Sequence, residues 1–545
     1  MFKIKRKFLI SLLLITGIII FVGCQKNRTE LNPQKNTNEL VFKLGKKLKN
    51  PYSVANMKKA YANLNNNLKS GISIETTHYY VKFKPKNEDE LIVLKQDTTL
   101  ELYDYPMDYE VIEGQVAYHA PSIPNNLPTF QYCAVPVDYN FPNVDYEILE
   151  DLYIPEQQET LKSKNYFVDA LVGEALRITG NLNEDGQKSS LKSIQRRRKW
   201  TPAGRILVWD DIGASGNMIN HLNISNPHKI PIENAKVRAR RWFTTYIGYT
   251  NEQGYFRCNG SFKRPANYSI DWETSKFDIR DGTFGQAYFN GPKTQGDWNL
   301  EINSGKSLRF ATIFRAACRY QYYNIGGLKR PNVWSKIKYS YYHRNQKNNE
   351  YSGINWGNWD FTGALPNIRL FGQVNYNWIK TNELYSTTIH ETAHASHIEL
   401  MNAGEIQFSQ ISKIIFESWA DAVEWYITKI EYNWLGNSDY DNPFNSVNNP
   451  YRFVDNKQNW SISFIQNYSP NYTPLFIDLV DNFNQRSKYS DSFLYPNDVV
   501  NSYTMHNIEQ LLKHVYGLSS LKNALKANKP SGVTDNDIDT NLSIY

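Results

Sequence analysis

The chain has 545 residues and a formal net charge of +7, from 61 Lys and Arg against 54 Asp and Glu. This length predicts about three domains. Its cysteines, Cys24, Cys133, Cys258 and Cys318, are too few and too scattered for a disulfide framework, although one disulfide among the last three stays open. No DNA- or RNA-binding motif accompanies the positive charge, so we expect no nucleic-acid partner.

Residues 1–23 have the pattern of an export signal. Four basic residues within positions 3–7 precede an apolar run at positions 8–22, which is shorter than the roughly 20 residues of a spanning helix. Without these four charges the mature chain is near +3 (7 − 4). The segment Phe21-Val22-Gly23-Cys24 resembles the lipobox of bacterial lipoproteins, with Phe where Leu is usual. The resemblance implies a lipidated Cys24 that anchors the chain to a membrane of the bacterial cell envelope, at the outer membrane or cell surface. A plain signal peptide or an uncleaved anchor is the alternative.

The next two segments are a tether and a small domain. Residues 24–70 are rich in Asn, Lys and Gln and predict a tether with a weak helix. Residues 71–190 predict a small α+β domain, because a strand-like run at 76–85 precedes a charged helix start. A similar opening occurs in peptidase pro-segments, so a pro-region is one interpretation. A polar and basic linker follows, and its run Arg196–Lys199 is a solvated stretch or a processing site.

Residues 203–304 predict an all-β domain. The run from Arg205 to Asp210 is a strand, and Ile230 to Arg240 is a turn followed by an alternating strand. The Pro-x-x-Asn-Ala-x-Val and Thr-Asn-x-x-Gly-Tyr-Phe elements of this segment resemble carboxypeptidase-regulatory-like, transthyretin-like β-sandwich domains. The resemblance implies an accessory domain that supports or positions a catalytic one.

The segment His390-Glu391-Thr392-Ala393-His394 is the most specific motif in the chain. On a helix, a step of four residues leaves both imidazoles on one face, one turn apart. That geometry suits two ligands of one Zn²⁺, while Glu391 can activate water. The flanks predict a helix from Glu383 to Met401, with a stop at Asn402-Ala403-Gly404.

The third ligand decides the kind of zinc site. A metzincin needs Gly and His further along the motif helix, where this chain has His397 and Leu400. Downstream, Glu417 and Asp421 are one turn apart on a second predicted helix, which could bring Glu417 to the metal as the third ligand of an open catalytic site. The other acidic residues considered as third ligands are Glu399, Glu405 and Glu424.

Residues 380–430 resemble the gluzincin metallopeptidases, the thermolysin-like clan, which pair a His-Glu-x-x-His helix with a Glu-x-x-x-Asp segment on the next helix. The resemblance implies that His390, His394 and Glu417 are zinc ligands and that Glu391 is the general base. It also implies that Asp421 orients a ligand histidine, and we expect that histidine to be His390.

Other residues of the predicted catalytic region, 305–545, have less specific roles. Tyr503 and His506 are three residues apart at the start of a predicted helix and are candidates to stabilise the oxyanion. His397 is either a residue that lines the site or a packed or solvated histidine. The run from Ala364 to Gly372 predicts a strand, and Pro366 favours an edge position.

The sequence therefore predicts a multidomain α+β chain. A small N-terminal α+β domain and a transthyretin-like β-sandwich precede a mainly helical zincin catalytic domain with a short edge-strand sheet. The expected function is that of a surface-anchored zinc metallopeptidase, a hydrolase with one Zn²⁺ per chain and a peptide or protein substrate. No aminopeptidase-type motif is visible, which favours an endopeptidase. The alternative is a non-catalytic binding or structural lipoprotein that engages peptide or glycan through its β-sandwich.

Overall fold

The protein is a mixture of α-helices and several β-sheets. The computed structural model describes residues 44–65, 72–112, 117–158, 165–182, 198–331, 336–343, 353–355, 367–374, 377–401, 410–437, 457–489 and 492–545. The predicted signal, Cys24, most of the basic linker and Glu405 lie outside these ranges. Within the described ranges, no helix combines the length and hydropathy that crossing a bilayer requires.

The N-terminal part is built on a three-stranded antiparallel sheet. Strand β1 (His78–Phe83) lies between β2 (Gln131–Pro136) and β3 (Tyr146–Leu152). Three helices accompany the sheet: α1 (Val54–Asn65), α2 (Glu88–Gln96) and α3 (Asn165–Ile178). Helix α1 comes from the segment predicted to be a tether, yet Met57 and Ala60 are fully buried in the core that α3 also lines. Residues 44–65 are therefore part of the packed N-terminal structure.

Two four-stranded sheets follow, with a short helix α4 (Met218–His221) between their strands. Their strands are β4 (Ala203–Trp209), β5 (Lys229–Pro231), β6 (Lys236–Arg241), β7 (Thr244–Tyr249), β8 (Tyr255–Arg257), β9 (Ala266–Asp271), β12 (Tyr288–Thr294) and β13 (Trp298–Ile302). One sheet has the order β12-β9-β6-β7, and in the other β4 pairs with β13, β5 and β8. Alternate residues of β4, such as Ile206 and Val208, are buried, because a strand packed on one face buries every second side chain.

A five-stranded mixed sheet contains strands from both sides of residue 304, the predicted boundary between the β domain and the catalytic region. Its strands are β10 (Phe277–Asp281), β11 (Gly285–Gln286), β14 (Ile337–Tyr342), β15 (Gly353–Asn355) and β16 (Asn367–Phe371). The order is β11-β10-β14-β16-β15, with the three central strands parallel. The strand predicted at the sheet edge corresponds to β16, which instead lies inside the sheet, because the antiparallel β15 covers its outer side. The edge prediction was therefore wrong. A small hairpin follows, formed by β17 (Gln373–Val374) and β18 (Asn377–Trp378).

The rest of the described chain is mainly helical. It contains α5 (Gly305–Tyr322), α6 (Thr381–Leu400), α7 (Lys413–Trp434), α8 (Ile462–Tyr468), α9 (Gln485–Lys488), α10 (Met505–Leu512), α11 (Leu518–Ala527) and α12 (Asp535–Leu542). Helix α6 packs against both α5 and α7. One hydrophobic core includes residues of the β-sheets, α5, α6 and α7, so the helical part and the β-rich part share buried contacts.

Candidate metal centre

Helix α6 carries the His-Glu-Thr-Ala-His motif and is buried on nearly all sides. Its small polar side chains find partners within the protein, which makes this burial tolerable. The hydroxyl of Thr392 donates to the carbonyl of Thr388 at 2.6 Å and lies 2.8 Å from the hydroxyl of Tyr339 on β14. The hydroxyl of Ser396 donates to the carbonyl of Lys329 at 2.8 Å. These contacts fix the rotation of the helix and the direction of its histidines.

The first turn of α6 is anchored by an aspartate that follows β4. The amide of Thr381 donates to Oδ2 of Asp211 at 2.8 Å, and the amide of Asp211 donates to Oγ1 of Thr381 at 2.7 Å. A carboxylate at a helix N-terminus satisfies free backbone amides and complements the helix dipole. Strand β4 thus helps to position the motif helix.

Three potential ligand atoms converge between α6 and α7. Nε2 of His390 and Nε2 of His394 are 3.1 Å apart, and Oε2 of Glu417 lies 3.4 Å from the first and 3.2 Å from the second. Atoms held about 2.0–2.1 Å from a tetrahedral Zn²⁺ lie about 3.3 Å from one another. The three side chains therefore fit the ligand spacing of a single zinc ion.

Two carboxylates face the other nitrogen of His390. Oε2 of Glu424 is 3.1 Å from Nδ1, and Oδ1 of Asp421 is 3.3 Å from it. On α7, positions 417, 421 and 424 follow the helical repeat and share one face. A carboxylate that accepts a hydrogen bond from Nδ1–H keeps the proton on Nδ1 and leaves Nε2 with a free lone pair, the form that a metal ligand needs. Glu424, considered from the sequence as a third ligand, thus contacts Nδ1 of His390, the nitrogen that faces away from the three converging atoms.

Burial and charge set the protonation of the cluster. Burial lowers the pKa of His394, which favours the neutral imidazole that binds metal. Burial would raise the pKa of Glu417, but its contacts with His394 and His390 hold it well below the usual range. Burial raises the pKa of Glu391 to about 8, and the charges of Glu417 and Glu424 act in the same direction. A divalent cation beside these carboxylates would favour their charged forms.

Other predicted residues lie apart from the three ligand atoms. The hydroxyl of Tyr503 donates to the carbonyl of Leu525 at 2.8 Å, in the helical core. His506 is exposed, and its Nδ1 lies 2.8 Å from the carbonyl of Gly327. Neither candidate for oxyanion stabilisation has a contact with the cluster among the described residues, so the structure gives these two roles no support.

The remaining histidine and glutamate of the motif helix have their own neighbours. His397 is fully buried beside Phe416, with ring centroids 5.8 Å apart, and burial lowers its pKa to about 3. It is thus a packed histidine. The ring of Phe416 also stacks on His394, with centroids 3.9 Å apart, and covers one side of that imidazole. Glu399 pairs with Lys329 at 3.6 Å, away from the ligand atoms.

Comparison with family models, with curated proteins and with solved structures gives no match for this chain. The chemical interpretation of the cluster therefore depends on its own residues and distances.

Two further residues border the cluster and were not predicted. The ring of Tyr472 is inclined by 27° to that of His390, with centroids 6.4 Å apart. Lys457 forms an ion pair with Asp421, and both side chains are buried. Both residues come from the segment after α7, and no spacing rule connects them to the motif. Only the folded chain brings them to His390.

Proposed function

We propose that the chain is a zinc-dependent peptidase of the gluzincin type, with one Zn²⁺ held by His390, His394 and Glu417. The observation that carries the proposal is the separation of 3.1–3.4 Å among their three ligand atoms, which matches a tetrahedral zinc site. Among the described residues, no fourth His, Cys, Asp or Glu joins this set. A zinc site with three protein ligands keeps a position for water or substrate, as catalytic sites do.

The residues of the cluster can divide the work of peptide hydrolysis. Bound Zn²⁺ supplies Lewis acidity toward a substrate carbonyl and toward water. A carboxylate oxygen of Glu391 accepts a proton from the attacking water and returns it to the nitrogen of the leaving amine. Asp421 and Glu424 hold the ring of His390 in place through Nδ1. The buried surroundings keep bulk water from competing with these groups.

A set of three variants tests this proposal. Glu391→Gln keeps the ligand set and should retain zinc while hydrolysis is lost. His394→Ala removes a ligand and should lose both zinc and hydrolysis. Glu399→Gln is the matched control, because it makes the same chemical change on the same helix beside Lys329 and should retain both. Zinc per chain is measured by elemental analysis, and hydrolysis with a library of quenched fluorescent peptides blocked at both ends.

The outcomes separate this function from its alternative. Cleavage of doubly blocked peptides by the wild type, lost in Glu391→Gln, is the result expected of an endopeptidase. Zinc in the wild type with no hydrolysis would favour a non-catalytic binding or structural protein. Full hydrolysis by Glu391→Gln would refute the assigned role of that carboxylate.

We also propose that Cys24 carries a lipid that anchors the chain to the bacterial cell envelope. The support is the basic and apolar pattern of the first 23 residues together with the lipobox-like segment that ends at Cys24. Metabolic labelling with an alkyne fatty acid should mark the wild type and the control variant Cys133→Ser. Cys24→Ser should remain unlabelled, and label on that variant would refute the anchor.

A further inference from the structure

Lys457 is a buried lysine whose ammonium reaches the edge of the candidate metal centre. It is 5% exposed and pairs with Asp421, which is 8% exposed. The pairing uses Oδ2 of Asp421, while Oδ1 of the same carboxylate lies 3.3 Å from Nδ1 of His390. Lysine, aspartate and histidine thus form a continuous chain of contacts that ends on a predicted zinc ligand.

The position of this ammonium offsets an unfavourable concentration of negative charge. Asp421 and Glu424 both lie within 3.3 Å of the same ring nitrogen of His390. One N–H group cannot satisfy two buried carboxylates equally, and two like charges in a buried site repel each other. Lys457 supplies a positive charge on the Asp421 side, so that both carboxylates can stay beside the ring.

The backbone around Lys457 holds the ammonium in place. Lys457 has a φ of +60°, a left-handed conformation that residues other than glycine rarely adopt. The next side chain, Gln458, is fully buried and donates to Oδ1 of Asp478 at 2.8 Å. The amide of Trp460 donates to the carbonyl of Lys457 at 3.0 Å, and its ring lies 5.5 Å from the ammonium. A costly conformation that these neighbours enforce indicates a specific role for the side chain.

The same ammonium disfavours a second metal ion at a neighbouring group of potential ligands. His390, Asp421 and Glu424 have ligand atoms close enough to one another to hold a cation. Lys457 already provides the positive charge there, through Oδ2 of Asp421. The arrangement is that of a support for one metal ligand.

We propose that Lys457 is a positioning residue for the metal centre, which acts by fixing Asp421 against Nδ1 of His390. The inference rests on the proposed function only in that it requires metal binding by His390. Partners that hold a ligand histidine typically change metal affinity by about 10–100-fold when they are removed. We expect Lys457→Met to lower zinc affinity by that factor, and Lys457→Arg to restore most of it because the charge returns.

Zinc affinity is measured on the purified chain by competition with a fluorescent chelator, and the visible spectrum of the Co²⁺-loaded protein reports ligand geometry. The matched control is Lys95→Met, because Lys95 on α2 is also a poorly exposed lysine and pairs with Glu273 and Asp278. A weaker zinc complex and an altered Co²⁺ spectrum in Lys457→Met, with neither change in Lys95→Met, would support the inference. Unchanged affinity and spectrum in Lys457→Met, or equal losses in both variants, would overturn it.

A second comparison tests whether Lys457 acts through Asp421. This comparison does not depend on the stability of the single Lys457→Met variant. Asp421→Asn removes the negative charge that Lys457 pairs with, so Lys457→Met in that background leaves no unpaired carboxylate at position 421. If Lys457 acts through Asp421, the double variant should bind zinc as the single Asp421→Asn variant does. A further loss in the double variant would overturn the inference. Failure of the wild type itself to bind zinc would instead refute the proposed function.

Discussion

Arg315 on α5 is a buried cross-link whose removal should destabilise the frame around the candidate metal centre. One of its nitrogens donates to Oδ2 of Asp210 at 2.7 Å, directly after β4. Another donates to Oε1 of Glu431 on α7 at 3.2 Å. A single guanidinium thus links the β-rich part to the two helices beside the motif helix. The perturbation that we consider is Arg315→Met, which keeps most of the side-chain volume and removes the charge.

The size of the effect follows from what remains after the change. Removing one partner of a buried ion pair typically costs about 3–5 kcal/mol. Asp210, which is fully buried, would keep the hydroxyl of Tyr432 at 3.0 Å and the amides of Ile212 and Gly213. Glu431 would keep Arg319. Because these donors remain, we expect a loss near the lower limit, about 3 kcal/mol of unfolding free energy.

The assay is urea unfolding followed by tryptophan fluorescence and circular dichroism. The matched control is Lys529→Met, because Lys529 and its partner Asp535 are both exposed, and exposed pairs contribute about 1 kcal/mol or less. We expect a clear fall in the transition midpoint of Arg315→Met and almost none in the control. If the unfolding free energy of Arg315→Met lies within about 1 kcal/mol of the wild-type value, the cross-link does not contribute the stability argued above.

Three other predictions concern groups away from the metal centre. Burial and the charge of Asp478 raise the pKa of Asp481 in the folded chain, so its protonated form is favoured there and unfolding free energy should fall as the pH rises above the ordinary carboxyl range near 4. Asp481→Asn should make the unfolding free energy depend less on pH, as measured by urea midpoints at a series of pH values above about 4. An unchanged pH dependence would contradict the prediction. Tyr503→Phe should cost about 1 kcal/mol of unfolding free energy through its lost hydrogen bond, with zinc content unchanged, and a loss of zinc would give Tyr503 a part in the site. Cys133, Cys258 and Cys318 are free and buried, so a thiol reagent should label them only after unfolding, and a reducing agent should leave the thermal midpoint unchanged.

The helices of the candidate site could be predicted because their information is local. The sequence predicted a motif helix from Glu383 to Met401, and α6 runs from Thr381 to Leu400. The spacing of four residues within each helix fixes which side chains share a face, whatever the rest of the fold does. The convergence of Glu417 on both histidines needed one further assumption, that α7 packs beside α6.

The support of the site could not be predicted in the same way. Lys457 follows Asp421 by 36 residues (457 − 421), and no helical or strand repeat relates the two positions. The sequence showed Glu424 as an acidic residue on the second helix. Which nitrogen of His390 its carboxylate contacts depends on the rotation of α7. Tyr503 illustrates the opposite error. Its place in the sequence suggested a role at the site, but its hydroxyl donates to the carbonyl of Leu525 in the helical core. Long-range packing decides all three cases.

The chemistry of a five-residue motif here depends on contacts from distant parts of the chain. Asp211, after β4, anchors the first turn of α6, and Tyr339 on β14 holds the hydroxyl of Thr392 inside the motif. Strand β14 is itself paired on one side by β10, from the segment predicted to be a separate β-sandwich. Removal of residues 203–304 would therefore expose one side of β14 and free the start of α6. The frame that orients His390 and His394 therefore includes contacts from the β-rich part.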